Sequence, residues 1–153
     1  MLEIKRILCP VDFSDSSEPS LNYAVAIARR FNAKVYIVYV SDMEDFNYDN
    51  DTLLEGDSIS EASVRGEKAN LINRIPENIR NEIEIETKIL FGIPNEEIVN
   101  FADEQKIDMI VMGTHGRTGL KHVLMGSISE KVVGKSTCPV LLIKHDYHVS
   151  DNI

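Results

Sequence analysis

Apolar residues along this chain follow two alternating rhythms. Short runs rich in Val and Ile are separated by longer stretches in which apolar positions recur every three or four residues. Residues 4–11 (IKRILCPV) form the first short run and read as a strand. The turn DFSDSS follows with several candidate N-caps, and Pro19 suits a first helical turn. Leu21, Ala24, Val25, Ala28 and Phe31 then fall on one helical face. Residues 34–40 (KVYIVYV) read as a buried strand, which completes a β-α-β unit. A second helix should end near Arg74 or Ile75, ahead of Pro76. Residues 83–90 (IEIETKIL) alternate apolar and polar, as a half-exposed strand near a sheet edge does. Gly92-Ile93-Pro94 opens a third helix with Ile98, Phe101 and Ala102 on one face. Residues 107–112 (IDMIVM) read as a buried strand, and a fourth helix is expected from Ser127 to about Ser136. The final strand is Val140-Leu141-Leu142-Ile143.

Strands alternating with helices imply a single-domain α/β fold, a mostly parallel open sheet with helices on both faces. Periodicity does not reveal the strand order. At 153 residues the chain suits one domain, here read as residues 1–145 with a frayed tail over 146–153. Residues 41–63 break the pattern, with eight Asp or Glu and no Lys or Arg. They read mainly as a solvated acidic insertion, with docking to a partner as the second reading.

The net charge of −9 excludes a general nucleic-acid binder, which needs a basic face against phosphates. No stretch approaches the roughly 18 apolar residues of a membrane span. The start MLEIKRILCPV is too short and mixed for a signal peptide, so cytoplasm is the default expectation. Cys9 and Cys138 make neither a disulfide framework nor a metal site and read as small buried hydrophobes.

Against this acidic background one segment stands apart. From Met109 to Ser129 there is no Asp or Glu, and glycines fall at 113, 116, 119 and 126. The thirteen residues 114–126 between the fourth strand and the fourth helix are long for a loop in a compact domain. The loop leaves the carboxyl end of a strand, where open α/β sheets bind ligands. Glycines let backbone N–H groups approach an anion with no Cβ in the way. Ser127 then starts a helix, whose N-terminus carries unsatisfied N–H groups and partial positive charge. Arg117 and Lys121 can add charge-assisted hydrogen bonds. The combination favours a phosphate.

Three familiar phosphate signatures are absent. The dinucleotide fingerprint needs G-x-G-x-x-G after the first strand, whereas the spacing here is G-x-x-G-x-x-G after the fourth. Gly134-Lys135-Ser136 imitates the end of a Walker loop, but Ser129 stands where its first glycine belongs. No Ser-Gly-Gly loop follows the first strand, where Asp12-Phe13-Ser14-Asp15 stands. His115 and His122 lie in the loop without a carboxylate and make a poor metal site, and His145 and His148 fall in the tail.

The spacing Gly113-x2-Gly116-x9-Gly126-Ser127, with KRILCPVDFS near the start and STCPVLLIK near the end, resembles the ATP-binding branch of the universal stress protein family. The resemblance covers nearly the whole chain. It implies a Rossmann-like five-stranded sheet of order 3-2-1-4-5, which brings the first and fourth strands together. It also implies that Gly113, Gly116, Arg117, Gly126, Ser127 and Ser129 surround phosphates and ribose, with Ile128 adding a helix N-terminal amide. Pro10, Val11 and Asp12, with Val40, would frame the adenosine, and Met112 would lie near ribose or base. A carboxylate at Asp12 suits ribose hydroxyls. Each position also has a structural reading: Ser127-x-x-Glu130 as a capping box, Asp12 as an N-cap, Gly113 as a strand end, and Pro10, Val11 and Val40 as core. Gly119 more simply allows a turn, and Lys121 a solvated mouth.

The implied ligand is ATP, or AMP or ADP, with Mg²⁺ arriving on the nucleotide. Hydrolysis needs a group that positions water, and the loop offers no carboxylate or glutamine for it. A stress-response regulatory switch is therefore expected, with slow or partner-stimulated hydrolysis at most and no catalytic residue assigned. Two alternatives remain: an oligomerisation module with an empty loop, and an adenylyl- or pyrophosphate-transferring enzyme. The resemblance further implies a homodimer paired through the C-terminal strand, and an unidentified protein partner.

Overall fold

The computed structural model describes residues 1–12, 17–41, 61–115 and 125–144. The elements run β1 (Arg6–Pro10), α1 (Ser17–Phe31), β2 (Lys34–Ser41), α2 (Glu61–Asn73), α3 (Glu77–Arg80), β3 (Ile85–Phe91), α4 (Pro94–Glu104), β4 (Met109–Gly113), α5 (Ser127–Lys135) and β5 (Val140–Ile143). All strand pairings are parallel, and the sheet order is β3-β2-β1-β4-β5. The short helix α3 is absent from the sequence expectation, because four residues after Pro76 are too few to display a helical period. Residues 42–60, most of the acidic insertion, and the tail lie outside the described residues.

The continuous apolar runs of β1, β2 and β4 follow from burial on both faces, as parallel strands require. Successive side chains alternate between two cores. Ile7, Cys9, Val11, Val35, Ile37, Tyr39 and Val111 pack with Leu21, Ala24, Val25 and Ala28 of α1 and Leu71 of α2. Leu8, Tyr36, Val38, Ile110 and Met112 pack on the opposite face with Ile98, Phe101 and Ala102 of α4 and Val132 of α5. Phe31 does not join its expected face and is 44% exposed, because it is the last residue of α1, where Asn32 turns away at φ 53°.

All seven residues of the edge strand β3 are half-buried, so it is half-exposed as expected, but its exposure does not follow the apolar–polar alternation of its sequence. Glu86 on it pairs with Lys34 (2.7 Å) and Lys88 (2.9 Å), so a charged cluster guards this edge. At the opposite edge, β5 presents Val140, Leu141 and Leu142 only half-buried. Cys9 is buried, and desolvation pushes its thiol up to about 12, opposed by a hydrogen bond with Ser20. Cys138 differs from the sequence expectation: it is half-buried, and its N–H donates to the Ser136 hydroxyl oxygen at 3.3 Å.

One long-range clamp aligns the sheet at its amino edge. The Asp108 carboxylate accepts from the backbone N–H of Lys5 (2.8 Å) and of Arg6 (2.9 Å), joining the start of β1 to the start of β4. Both bonds are exposed, so Asp108→Ala is expected to lower unfolding free energy by only about 1 kcal/mol, measured by urea denaturation. A loss indistinguishable from zero would show that water replaces the clamp without cost.

Candidate functional site

The register of the sheet decides which residues can meet. Pro10 is level with Val38 of β2, and Leu8 with Ile110 of β4. Carried two residues further, that register would set Pro10 level with Met112 and Asp12 level with Val40, and four residues further Asp12 level with Thr114. Segments remote in sequence thus end close together at the carboxyl edge, where the strand order runs to β2 and β3 on one side of β1 and to β4 and β5 on the other. This is the switch point at which open α/β sheets form a crevice.

Strand alternation then sorts the candidates by face. Val40 and Met112 belong to the α4–α5 core, together with Leu8, whose parity Pro10 and Asp12 share. Val11 points the other way, into the α1 core at 4% exposure, and its N–H donates to the Val38 carbonyl at 2.8 Å. Only the Val11 carbonyl is thereby left to contribute to a ligand.

Asp12 is bonded to Ser17, the first described residue of α1. The Ser17 hydroxyl donates to Asp12 Oδ1 at 2.7 Å, and the Asp12 N–H donates to Ser17 Oγ at 3.0 Å. This reciprocal pair fixes the carboxylate at the mouth of the crevice while leaving it partly exposed.

The start of α5 is built on a single backbone carbonyl. Thr114 continues β4 by donating its N–H to the Ile143 carbonyl (3.0 Å). Its own carbonyl accepts from the Gly126 N–H and from the Ser129 hydroxyl, the latter at 2.9 Å. These bonds staple the helix start to the strand end across the loop. A Cβ on Gly126 would lie 3.1 Å from the Thr114 oxygen and 3.5 Å from the His115 Cα. Gly126 has an ordinary φ of −70°, so the position requires space rather than an unusual backbone. Thr114 escaped the sequence analysis because a main-chain acceptor leaves no side-chain signature.

The capping box does not form. Gly126, not Ser127, is the N-cap of α5, and no side-chain cap hydrogen bond is present there. Ser127 is the first helical residue and is exposed, while Ser129 is 3% exposed with its hydroxyl turned back to Thr114. The first-turn N–H groups of a helix lack intrahelical partners. Among the described residues no side chain caps them, so Ser127, Ile128 and Ser129 can offer amides to an anion, reinforced by the helix dipole. Gly113 is the half-buried last residue of β4.

His115 is held beside the staple, its Nδ1 2.9 Å from Thr114 Oγ1. Gly116, Arg117, Gly119, Lys121 and His122 lie outside the described residues. Among the described residues no group of three or more His, Cys, Asp or Glu could hold a metal ion, and no helix is long and apolar enough to cross a membrane.

Comparison with known proteins agrees with this architecture. The model of the universal stress protein family matches residues 3–144. Universal stress protein MJ0531 of Methanocaldococcus jannaschii is 38% identical over 143 residues, spanning 92% of this chain and 82% of its own. Universal stress protein MJ0577 of the same organism is 35% identical over 153 residues, spanning 92% and 94%. The solved structure of the universal stress protein from Archaeoglobus fulgidus in complex with dAMP aligns with a TM-score of 0.62 at 28% identity, covering 94% of this chain and all of that one. The chain belongs to the universal stress protein family.

Proposed function

We propose that this protein binds an adenine nucleotide, ATP or its products, and acts as a nucleotide-dependent regulatory switch in a stress response. The observation that carries the reading is the uncapped start of α5, stapled to the end of β4 through Gly126 and Thr114. The phosphates would lie against the amides of Ser127, Ile128 and Ser129, beside Gly113, with Gly116 and Arg117 supplied by the loop. Asp12, fixed by Ser17, would accept from ribose hydroxyls, and Pro10, Val11, Val40 and Met112 would frame the nucleoside. That a relative at 28% identity has been solved in complex with dAMP supports the adenine class. Mg²⁺ would be carried by the phosphates rather than by a protein ligand cluster.

The chain's own groups favour retention of the nucleotide over its turnover. No acidic residue occurs between Met109 and Ser129, so the phosphate end lacks a built-in carboxylate to orient water. Asp12 belongs to the nucleoside end and is occupied by Ser17. Hydrolysis should therefore be slow unless a partner completes the site.

The half-buried apolar strand β5 lies at the sheet edge opposite the charged β3 edge, and favours a homodimer paired through β5. Sedimentation showing a monomer at micromolar concentration would remove that part of the reading. Cytoplasmic location fits an adenine-nucleotide switch.

Denaturing the purified protein and identifying released nucleotide by mass tests the central reading. Near-stoichiometric ATP, ADP or AMP is the expected result, or else a rise in Tm on adding ATP. Neither signal would favour an interaction module with an empty loop, while pyrophosphate release from ATP would instead indicate an adenylyl-transferring enzyme.

A further inference from the structure

Asp12 is a half-buried carboxylate, and the way it is held bears on what it can bind. One oxygen bonds it twice. The Ser17 hydroxyl oxygen accepts from the Asp12 N–H at 3.0 Å, and its single proton is donated to Asp12 Oδ1 at 2.7 Å. Main chain and carboxylate of one residue are thus tied to the same atom. This closes a ring through the Asp12 side chain and restrains its first torsion. Closing the connection between β1 and α1 needs only the N–H bond, whereas the bond to Oδ1 acts on the side chain alone.

The anchor is itself held from behind. Ser17 is 5% exposed, and its carbonyl accepts from the Ser20 hydroxyl at 2.9 Å. Ser20 is fully buried and also hydrogen-bonds the Cys9 thiol of β1. A polar path therefore runs from β1 into α1 and back to Asp12, two residues beyond the end of β1. Its last member is a carboxylate, which when ionised only accepts hydrogen bonds.

The geometry points to Ser17 as the positioning residue that sets the sugar specificity of the site: by presetting the Asp12 carboxylate, it makes the protein prefer nucleotides whose ribose carries free hydroxyls. This inference rests on the nucleotide reading above. Ribose brings hydroxyl donors that a carboxylate accepts, whereas a 2′,3′-dideoxyribose brings none. Without the Ser17 hydroxyl the Asp12 side chain regains its rotamers, and ordering it on binding costs about two- to ten-fold in affinity.

Calorimetric titration with ATP and with 2′,3′-dideoxy-ATP tests the assignment in wild type, Ser17→Ala, Asp12→Ala and the double variant. Alanine is the best helix former and is smaller than serine, so Ser17→Ala should fold, as circular dichroism would verify. Ser17→Cys, nearly the same shape with a weak donor, serves as a second variant and should behave like alanine. Wild type should prefer ATP by about ten-fold or more, the worth of a hydrogen bond to a charged group. In Ser17→Ala the ATP affinity should fall about five-fold while that for the dideoxy nucleotide changes by less than about two-fold. On the Asp12→Ala background the same change should alter ATP affinity by less than about two-fold, because nothing is left to position. Equal weakening of both nucleotides, or losses that add in the double variant, would mark Ser17 as structural and overturn its role. A sugar preference preserved in both Ser17 variants, or absent from wild type, would overturn it too and leave the nucleotide reading standing. A wild type that binds neither nucleotide would remove both readings together.

Discussion

Replacing Gly126 by valine is expected to lower ATP affinity roughly 100-fold while leaving the chain folded. Even a Cβ would stand 3.1 Å from the Thr114 carbonyl, and the branched methyls of valine need more room still. The carbonyl cannot retreat easily, since the Thr114 N–H is bonded to β5 and its oxygen also holds Ser129. The start of α5 must move instead, and its amides with it. Hydrogen bonds to a charged group are worth about 1.5–3 kcal/mol each, so misaligning two of them costs about 3 kcal/mol or more. At about 1.4 kcal/mol per decade that is a factor of at least roughly 100. Gly126→Ala, which needs a shift of only a few tenths of an ångström, should cost about ten-fold or less by the same arithmetic. Calorimetric titration and circular dichroism together check the pair. A valine variant that is folded and binds ATP as well as wild type would show that α5 does not hold the phosphates.

Ile110→Ala should be the most destabilising of the conservative core changes, lowering unfolding free energy by about 2–5 kcal/mol. Ile110 is fully buried in β4, between β1 and β5 and packed with residues of α4 and α5, where little can collapse into the space. For a chain of this size the loss corresponds to a Tm roughly 10 °C lower. Phe31→Ala removes a larger side chain, yet Phe31 is 44% exposed and should cost less than about 0.5 kcal/mol. Thermal and urea unfolding in the absence of nucleotide make the comparison. Similar losses at the two positions would contradict the two-core account of the sheet.

Much of this was legible in the chain. The strand at residues 34–40 and the faces of α1 and α4 were readable because burial on one or both sides imposes a period on the residues themselves. The glycine-marked loop stood out because glycines and an absence of carboxylates are compositional facts. Misreadings arose where a local pattern served two roles equally well. Ser127-x-x-Glu130 satisfies the pattern of a capping box, but the staple to Thr114 starts the helix one residue earlier and makes Gly126 the cap. Phe31 keeps the helical period, but the period does not say where the sheet beneath a helix ends.

Periodicity alone thus determined an alternating α/β chain, most of its core and the position of its glycine-marked loop, since those depend on contacts each residue makes with its near neighbours. Tertiary structure decided the rest. Parallel pairing in the order β3-β2-β1-β4-β5 sets Pro10 level with Val38 and Leu8 level with Ile110, although these residues are separated by tens of positions along the chain. Hydrogen bonds from main-chain groups, such as those converging on the Thr114 carbonyl, are open to almost any side chain and leave no trace in composition.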